Sequence, residues 1–404
     1  MLHVVGGTYF EYCAEPERRD LLGSGLRAAA AVSRLTKVLL HTYADKRSRS
    51  GIEANAATFS VPVDFTPRRQ AIRFEYSHPL ATPIVVPPIG YIASAKSIAL
   101  TADAMLCFGM LEGTAKVTAK RAVYDPQSPF DPRPFAESGS TSQELALVLN
   151  GREALMLAGL RTRSFDSVAK RLFARSGAAV IVVKRGTHGA TVFTRGRVTT
   201  VPAYRTTHVW KLGSGDVFAG VFAAYWALRR ADAHAAAARA SEAAALYCDT
   251  HALPLPSDFR RIVSRRFAPI APRRRSSPAS VYLAGPFFTM AQRWLINEAR
   301  RTLQQQGLRV FSPLHDVGHG TADQVVPADL KALARSDAVF AIADGLDSGT
   351  LFEVGYASAR GIPVVAFVQN EDAGALKMLE GSACRLCDDF TTAIYQTVWR
   401  AISA

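Results

Sequence analysis

The residues best suited to chemistry in the C-terminal part of this chain lie in DGLDSGTLFEVGYA, residues 344–357. Asp344 and Asp347 follow a short apolar run that ends near Ile342, so they stand at the carboxyl end of a predicted strand, where open α/β sheets bind ligands. A Ser-Gly-Thr turn then leads into a helix that carries Glu353 near its positive end. A carboxylate in that place is predicted to stay ionised, as a nucleophile must.

Glu353 also has a plainer interpretation, because acidic residues in the first turn of a helix often do no more than stabilise the helix. Other features point to a site instead. YLAGPFF, residues 282–288, is a strand that ends in a Gly-Pro turn with two aromatic residues, and Asp329 and Asp337 lie around the second predicted helix of this half, 329–335. Four carboxylates and a tyrosine at one sheet edge exceed what helix capping requires.

Taken together, these residues resemble the nucleoside 2-deoxyribosyltransferase family. Three motifs carry the resemblance: Y-x-A-G-P-F-F, matched by Tyr282 to Phe288; an Asp in a helix before S-D-x-V, matched by Asp329 and Ser336 to Val339; and D-S-G-T-x-x-E-x-G-Y-A, matched by Asp347 to Ala357. The resemblance covers nearly all of residues 281–395.

The resemblance implies a role for each matched residue. Glu353 would attack C1′ of a deoxyribose and form a glycosyl-enzyme ester, and Tyr282 would position Glu353. Asp329 and Asp347 would bind the base and move its proton, which agrees with the nucleophile and acid–base group that a retaining glycosyl transfer needs. No cofactor is implied for this domain. Further substrate contacts are expected from Gly285, Pro286, Phe287, Ser348 and Gly349.

This part of the chain departs from the family at one point. The family places an Asn that holds the sugar 5′-hydroxyl of a neighbouring subunit's site, and alignment on Met378 and Gly381 puts Leu376 there. Related nucleotide hydrolases carry Ser at that position, with Ser and Arg in the first loop, whereas this chain has Pro286 and Phe288 in that loop. The sequence therefore resembles the transferases, and it leaves open the sugar and whether a base or water intercepts the ester.

A second group of candidate residues lies in VWKLGSGDVFAGVFAAY, which begins at Val209. Gly213, Ser214 and Gly215 offer backbone N–H groups just before a helix, which is a setting for a phosphoryl group. Asp216 follows at the helix start and is placed to take a proton from an attacking hydroxyl. A simple glycine turn with an Asp cap explains this stretch equally well.

Other motifs extend this second site. KRGTHGA, residues 184–190, follows a buried strand, and N-x-x-E from Asn150 to Glu153 is a pattern that can organise Mg²⁺ through water. With the GSGD turn, they resemble the ribokinase-like (PfkB) family of sugar and nucleoside kinases over about residues 1–255. The resemblance implies Mg-ATP as donor, Asp216 as base and Glu11 on the substrate hydroxyls. The implied ATP and phosphate contacts are Gly213, Ser214, Gly215, Lys184, Gly186, Gly189, Asn150 and Glu153.

The kinase-like part departs from its family more widely. Trp210 and Lys211 stand where D-T-x-G-A-G-D has Asp and Thr, and Glu11 stands where an Asp is common. The first glycine turn, GSGLRAAAA at residues 23–31, lacks the Asn that helps to grip the sugar. Two interpretations follow: a working kinase, whose acceptor the sequence does not identify, or a nucleoside-binding module that regulates or assembles the protein.

Both halves alternate short β-branched runs with helical patterns, which predicts two α/β domains. With the resemblances, we expect a ribokinase-like three-layer domain over residues 1–262, an Arg-, Pro- and Ser-rich linker over 263–279, and a flavodoxin- or Rossmann-like parallel-sheet domain over 280–404. The predicted strands are 178–184, 281–284, 309–311, 338–342 and 364–368. The predicted helices are 217–228, 233–247, 291–306, 329–335 and 351–359.

The charge of the chain is unevenly distributed. Residues 280–404 hold ten Lys and Arg against thirteen Asp and Glu, so the excess that gives the chain its net charge of +14 lies before them. Seven arginines fall within 260–275, but no aromatic residues or nucleic-acid-binding motif accompany them, so a solvated tether is favoured over nucleic-acid binding. No apolar run reaches the roughly 18 residues of a membrane span. We therefore expect a cytoplasmic protein with no membrane association.

Cysteine and metal patterns add little. Cys384 and Cys387 form a lone C-x-x-C, and a structural zinc site needs about four ligands, so no metal is expected. The sequence as a whole predicts a bifunctional nucleoside enzyme, a homo-oligomer that acts on nucleosides, nucleobases and sugars. The alternatives are an N-glycosidase, a degenerate kinase-like binding module beside the C-terminal enzyme, and a pair of nucleoside sensors; intact Glu353 and Asp216 argue against the sensors.

Overall fold

The computed structural model describes residues 1–128, 130–162, 164–273, 275–318 and 320–403. The chain forms two compact units, Met1–Pro269 and Ile270–Ala404. The stretch 263–279, expected to be a linker, thus contributes its first seven residues to the first unit. No helix in the described part of the chain is long and apolar enough to cross a membrane.

The first unit is built on strands and helices that alternate along the chain. Its strands are β1 Leu2–Val5, β2 Phe10–Cys13, β3 Arg18–Leu21, β4 Val38–Ala44, β5 Val63–Pro67, β6 Arg73–Tyr76, β7 Ile84–Val86, β8 Ile98–Phe108, β9 Ala115–Asp125, β10 Thr141–Asn150, β11 Val180–Lys184, β12 Ala190–Thr194, β13 Arg197–Val201, β14 Tyr204–Arg205 and β15 Ala268–Pro269. Its helices are α1 Gly23–Val32, α2 Arg49–Thr58, α3 Gly151–Ala158, α4 Phe165–Ser176, α5 Ser214–Ala223, α6 Ala233–Thr250 and α7 Phe259–Arg266.

Nine of these strands form the main sheet, in the order β13-β12-β11-β10-β9-β8-β1-β4-β5. In this spatial order, the seven strands from β11 through β5 are parallel to one another. At the other end of the sheet, β12 and β13 are added in antiparallel fashion. The inner strands are runs of apolar residues, as parallel strands covered on both faces require. Their carboxyl ends therefore bring Asp125, Asn150 and Lys184 to one edge of the sheet.

Helices α1 and α5 lie side by side because both have very small residues on the shared face. A Cβ built on Gly220 of α5 would lie 2.9 Å from the carbonyl oxygen of Ala28 in α1, so the two backbones approach more closely than any other residue at 220 would allow. Every residue of α1 is buried, including Arg27. The close approach brings Arg27 beside Asp216, the third residue of α5.

A second, smaller sheet has the order β3-β2-β6-β7. Strands β2 and β6 are parallel, and β3 and β7 pair with them in antiparallel fashion. Tyr9, Ile72 and Val85 form the small core beneath it. This sheet supplies Glu11, whose side chain is buried.

The second unit has five parallel strands and six helices among its described residues. The strands are β16 Ser280–Ala284, β17 Arg309–Phe311, β18 Ala338–Ile342, β19 Val364–Phe367 and β20 Arg385–Cys387; the helices are α8 Met290–Gln305, α9 Pro313–Asp316, α10 Ala322–Leu333, α11 Ser348–Ala359, α12 Lys377–Gly381 and α13 Phe390–Ser403. The order β17-β16-β18-β19-β20 reverses direction between β16 and β18. Ligands of open parallel sheets bind in the crevice that such a reversal opens.

The strands and helices predicted from sequence are found, with three differences. Helix α10 begins at Ala322 rather than at 329 and contains Pro327, because Thr321 and Gln324 form a capping box that starts it earlier. Helix α5 ends at Ala223 and is followed by a π-helical turn over Ala224–Leu228. Helix α11 begins at Ser348, so Glu353 lies in its second turn and not in the first turn as predicted.

Limited proteolysis tests the division of the chain. Residues 271–273 and 275–278 are exposed, whereas Arg265 and Arg266 belong to α7. We expect trypsin to cut first after Arg273 or Arg275, since exposed chain without regular structure is the preferred site of nicking. Mass spectrometry should find a stable fragment that begins at residue 274 or 276 and ends at 404. Earlier cleavage within α7 would contradict this division.

Candidate functional sites

The C-terminal candidate site centres on a hydrogen bond between Tyr282 and Glu353. Tyr282, in the middle of β16, is fully buried, and its hydroxyl donates to Oε1 of Glu353 on α11. The two elements lie on the two sides of the crevice where strand order reverses. The tyrosine–glutamate pair expected from the sequence is thus formed in the free protein.

Asp347 and Asp329 lie near Glu353 but differ in what they bond. Asp347 caps α11, and its Oδ2 accepts hydrogen bonds from the backbone N–H and the hydroxyl of Thr350 at 2.8 and 2.9 Å. Asp329, on α10, has a buried Oδ1 with no hydrogen-bond partner among the described residues. Asp329 therefore has a buried oxygen left for a ligand, while Asp347 uses Oδ2 to support the start of the helix that carries Glu353.

Burial controls the ionisation of Glu353. Loss of hydration, together with the smaller effect of the nearby charges of Asp329 and Asp347, raises the pKa of this carboxyl to about 7, although the Tyr282 hydrogen bond opposes the rise. This raised pKa runs against the sequence-based expectation that the helix start holds Glu353 in its ionised form. Glu353 lies one turn too far along the helix, and Tyr282 is the neighbour that favours its charged form. Burial also raises the pKa of Asp329.

The first loop closes one side of the crevice. Gly285 follows β16 between the side chains of Ile296 and Ile342. The rings of Phe287 and Phe288 stack with centroids 5.5 Å apart. Phe288 is 71% exposed, so the loop presents an aromatic surface to solvent beside the predicted substrate contacts Gly285 and Pro286.

One predicted member of the site lies elsewhere. Asp337 precedes β18, at the amino edge of the sheet, where it accepts from the Ser280 backbone N–H and from Arg275 at 2.7 Å each. These bonds lower its pKa and join the starts of two strands. Asp344 does lie at the carboxyl edge, but it accepts from the backbone N–H groups of Gln369 and Asn370. The sequence analysis therefore placed Asp344 at the correct edge of the sheet and Asp337 at the wrong one.

The pH dependence of cleavage tests the Glu353 environment. If ionised Glu353 is required, kcat/KM should rise with pH through about 7, the pKa of that carboxyl. Tyr282→Phe removes the hydrogen bond that favours the charged form, so the acid limb should move to higher pH. Asp329→Asn removes a negative neighbour, so the limb should move to lower pH.

The pH profiles need a matched control. Asp323→Asn changes an exposed carboxylate at the start of the same helix as Asp329 and should leave the limb in place. Movement of both site variants in one direction would contradict the electrostatic account.

The N-terminal candidate site is a cavity of about 790 Å³ at the carboxyl edge of the main sheet. It receives residues from the smaller sheet, from four neighbouring strands of the main sheet (β8 to β11), from α1 and from the start of α5. Most residues that the sequence assigned to this site line the cavity: Glu11, Asn150, Glu153, Lys184, Gly186, Gly213, Gly215 and Asp216. The structure therefore collects in one space residues that are up to 205 positions apart along the chain.

Arg27 joins two acidic residues of this cavity, Glu11 and Asp216, and sequence reasoning missed it. Its Nη1 donates to Asp216 Oδ2 at 2.9 Å and to Glu11 Oε1 at 3.2 Å, and its Nη2 donates to Glu11 Oε2. Gln127 donates to the other oxygen of Asp216. Both oxygens of the predicted base are thus engaged. The sequence signal that could have identified Arg27 is that it is the single charged residue in the otherwise uncharged stretch that forms α1.

Burial sets the electrostatics of this acidic end. Loss of hydration raises the pKa of Glu11, although the Arg27 charge opposes the rise. The two carboxylates in turn raise the pKa of Arg27 well above its ordinary value. The arginine is 1% exposed and fixed in a bidentate geometry. Arg27 is therefore a buried member of the site, held by its two carboxylate partners.

The glycine turn before α5 lies beside two lysines in this cavity. Gly213 has φ +77°, and any side chain there would collide with Arg27. A Cβ on Gly215 would lie 3.4 Å from Lys184 Nζ, which pairs with Asp125. Lys211 donates to Ser214 Oγ at 2.8 Å, and burial lowers its pKa. Positive charge and backbone N–H groups therefore meet at the start of α5.

The remaining kinase-like motifs have structural explanations in the free protein. Asn150 and Glu153 form the capping box of α3, with hydrogen bonds of 2.9 and 2.7 Å. Burial and the charge of Asp125 raise the pKa of Glu153 to about 7. Gly189 has φ +77° and lies against the carbonyl group of Val201. Trp210, the most conspicuous departure, packs edge-on against His251 behind the turn.

Family models match both parts of the chain. Residues 106–258 match the pfkB family carbohydrate kinases, and residues 281–383 match the nucleoside 2-deoxyribosyltransferases. The chain therefore contains a pfkB-family domain followed by a nucleoside 2-deoxyribosyltransferase-family domain, as the sequence motifs indicated. No curated protein matches the chain.

The chain is similar to several solved structures at low sequence identity. The chain is similar to phosphofructokinase-2 of Escherichia coli in complex with potassium (14% identity, 65% of this chain, 98% of that chain, TM-score 0.46) and to ribokinase of Thermotoga maritima (14%, 66%, 99%, 0.47). It is also similar to a sulfate complex of a pyrophosphate-dependent kinase in the ribokinase family (15%, 65%, 99%, 0.49). The predicted fold, a ribokinase-like domain followed by a parallel-sheet α/β domain, is confirmed.

Proposed function

We propose that the C-terminal domain cleaves the N-glycosidic bond of a deoxynucleoside and transfers the sugar to a second base, with Glu353 as nucleophile. The observation that carries this proposal is the Tyr282–Glu353 hydrogen bond in the crevice beside Asp329 and Asp347. A carboxylate held by one tyrosine and flanked by a second carboxyl has the composition that retaining glycosyl transfer requires. The family match supports the same reaction class.

In the first step, a carboxylate oxygen of Glu353 bonds to C1′ while the bond from C1′ to the base nitrogen breaks. The departing base takes up a proton. Asp329 is the better donor of that proton, because burial raises its pKa and one of its oxygens has no other partner among the described residues. In the second step, a nitrogen of another base attacks C1′ and gives its proton to Asp329, while the ester bond to Glu353 breaks and leaves Glu353 as a carboxylate. Attack by water instead gives hydrolysis.

Replacement of the nucleophile tests this mechanism. Glu353→Ala should abolish cleavage, since no other carboxylate in the crevice is bonded to Tyr282, but it should leave nucleoside binding largely intact. A slow deoxynucleoside with fluorine at C2′ should trap the ester in the wild type, because fluorine destabilises the oxocarbenium-like transition state of its breakdown. Peptide mapping should place the added mass on Glu353.

The same measurements are made on a control variant, and they can also contradict the mechanism. Asp323→Asn, an exposed change on α10, should cleave and label as the wild type does. Label on Asp329 or Asp347, or undiminished cleavage by Glu353→Ala, would overturn the assignment.

For the N-terminal domain, we propose that a phosphate-bearing donor, Mg-ATP, binds with its terminal phosphate at the turn of Gly213 and Gly215. Asp216 would then remove the proton of an acceptor hydroxyl. The turn, Lys184 and the shared cavity support this proposal, as does the family match. The engagement of Asp216 by Arg27 and Gln127 favours a second candidate function, a nucleoside-binding module without transfer.

Substitution of the base separates the two functions. Asp216→Asn should lower phosphoryl transfer by about 10²–10⁴-fold, the usual contribution of a general base. ATP binding should remain, because the turn binds phosphate through its backbone. Transfer is measured by mass spectrometry with a panel of sugars and nucleosides. A wild type that turns over ATP with none of them would favour the binding module.

A further inference from the structure

One wall of the N-terminal cavity is a face of the smaller sheet. Glu11 on β2 pairs with Phe74 on β6, and Phe74 pairs with Val85 on β7. Tyr76 follows two residues after Phe74, so these four side chains lie on the same face of the sheet. All four line the cavity. The face that the smaller sheet turns toward the cavity therefore carries one carboxylate and, beside it, two aromatic rings and a valine.

The two aromatic residues of this face are open to a ligand. Both are half-buried. The ring of Phe74 is supported from behind by Tyr9, with centroids 5.1 Å apart. Tyr76 has no hydrogen-bond partner and no ring contact among the described residues, and its hydroxyl is accessible from the cavity. Burial, together with the charges of Glu11 and Asp216, raises the pKa of Tyr76, so this ring lies near the proposed base.

The rest of this wall offers few polar groups. The hydroxyl of Tyr9 lies here, but it donates to Glu112 at 2.7 Å. A bare pentose carries several hydroxyl groups, and each one that loses water needs a hydrogen-bond partner. The side chains that continue the wall supply none, since they are apolar: Pro83, Ile89, Met110 and Leu111.

A planar base fits the same wall. A base has an apolar face that packs on aromatic rings, while its polar edge remains free for hydrogen bonds. The hydroxyl of Tyr76 offers one such bond. The cavity volume of about 790 Å³ falls within the range of about 300–1,000 Å³ typical of drug-sized ligands, so a base has room beside a sugar.

We infer that the acceptor of the N-terminal domain is a nucleoside and not a free sugar: its base packs on Phe74 and Tyr76, and a hydroxyl of its sugar faces Asp216. Phe74 and Tyr76 are then the residues that determine specificity. The inference rests on the proposed phosphoryl transfer for the acceptor role only, because the wall binds a base whether or not transfer follows. It gives the two domains the same class of ligand.

Localised binding tests this without any phosphoryl transfer. The full chain with Glu353→Ala is used, so that the C-terminal site does not cleave the probes, which are D-ribose, adenosine, thymidine and a non-hydrolysable ATP analogue. Hydrogen–deuterium exchange of peptides from 73–76 and 109–113 reports the wall, and peptides from α11 report the C-terminal site separately. We expect a nucleoside to protect the wall peptides at concentrations about 10-fold or more below those that ribose needs, the usual contribution of one stacked base.

Substitutions on the two faces of the smaller sheet locate the effect. Phe74→Leu and Tyr76→Leu each remove a ring and keep an apolar side chain, so the affinity of the wall for nucleosides should fall several-fold while its affinity for ribose stays the same. Tyr76→Phe keeps the ring and should retain most of the affinity. Tyr12→Leu is the matched control, because Tyr12 lies on β2 with its side chain on the opposite face. Circular dichroism checks that each variant is folded.

Each outcome decides one part of the inference. Equal protection of the wall by ribose and nucleosides, or nucleoside protection that neither Leu variant weakens, overturns the base-binding wall. Protection by the ATP analogue alone, weakened by the same variants, assigns the wall to the base of the donor and also overturns the inference. Wall-dependent nucleoside binding without transfer to any nucleoside supports the wall and contradicts the proposed kinase activity. Transfer to free sugars in preference to nucleosides overturns the nucleoside acceptor while leaving phosphoryl transfer in place.

Discussion

A charge removed from water must be met by an opposite charge or by hydrogen bonds, and both candidate sites are organised by this requirement. In the N-terminal domain, Arg27 is surrounded by Glu11 and Asp216, and Lys184 is neutralised by Asp125. In the C-terminal domain, Glu353 has no cation beside it and is supported by a single tyrosine hydroxyl. The same constraint thus produces a cluster of ion pairs in one domain. In the other domain it produces a carboxyl whose pKa is raised to about 7.

This difference bears on reactivity. A nucleophile must lose its hydration and its partners in the transition state, so a carboxylate held by one neutral hydrogen bond is readier to attack than one locked in an ion pair. Glu353 meets this condition, since its partner is the hydroxyl of Tyr282. Asp216 does not, since Arg27 and Gln127 hold both of its oxygens. The two carboxyls therefore differ in how firmly their neighbours hold them.

The sequence predicted the fold of both domains and most residues of both sites, because strand runs and glycine turns are local signals. It placed Tyr282, Glu353 and Asp329 together correctly through their spacing around predicted strands. It failed where the answer depends on contacts distant in the chain. Asp337 was expected at the wrong sheet edge, and Arg27 was overlooked, because neither the partner Ser280 nor the partners Glu11 and Asp216 can be recognised from neighbouring residues.

The close approach of α1 and α5 has a consequence for how the N-terminal site can change. Gly220 has no side chain and is not among the residues that line the cavity, yet its small size sets the spacing between the helices that carry Arg27 and Asp216. A wider spacing would lengthen that ion pair and alter the acidity of the cluster without replacing any charged residue. The electrostatics of the site can therefore change through a substitution at a helix contact one turn away from Asp216.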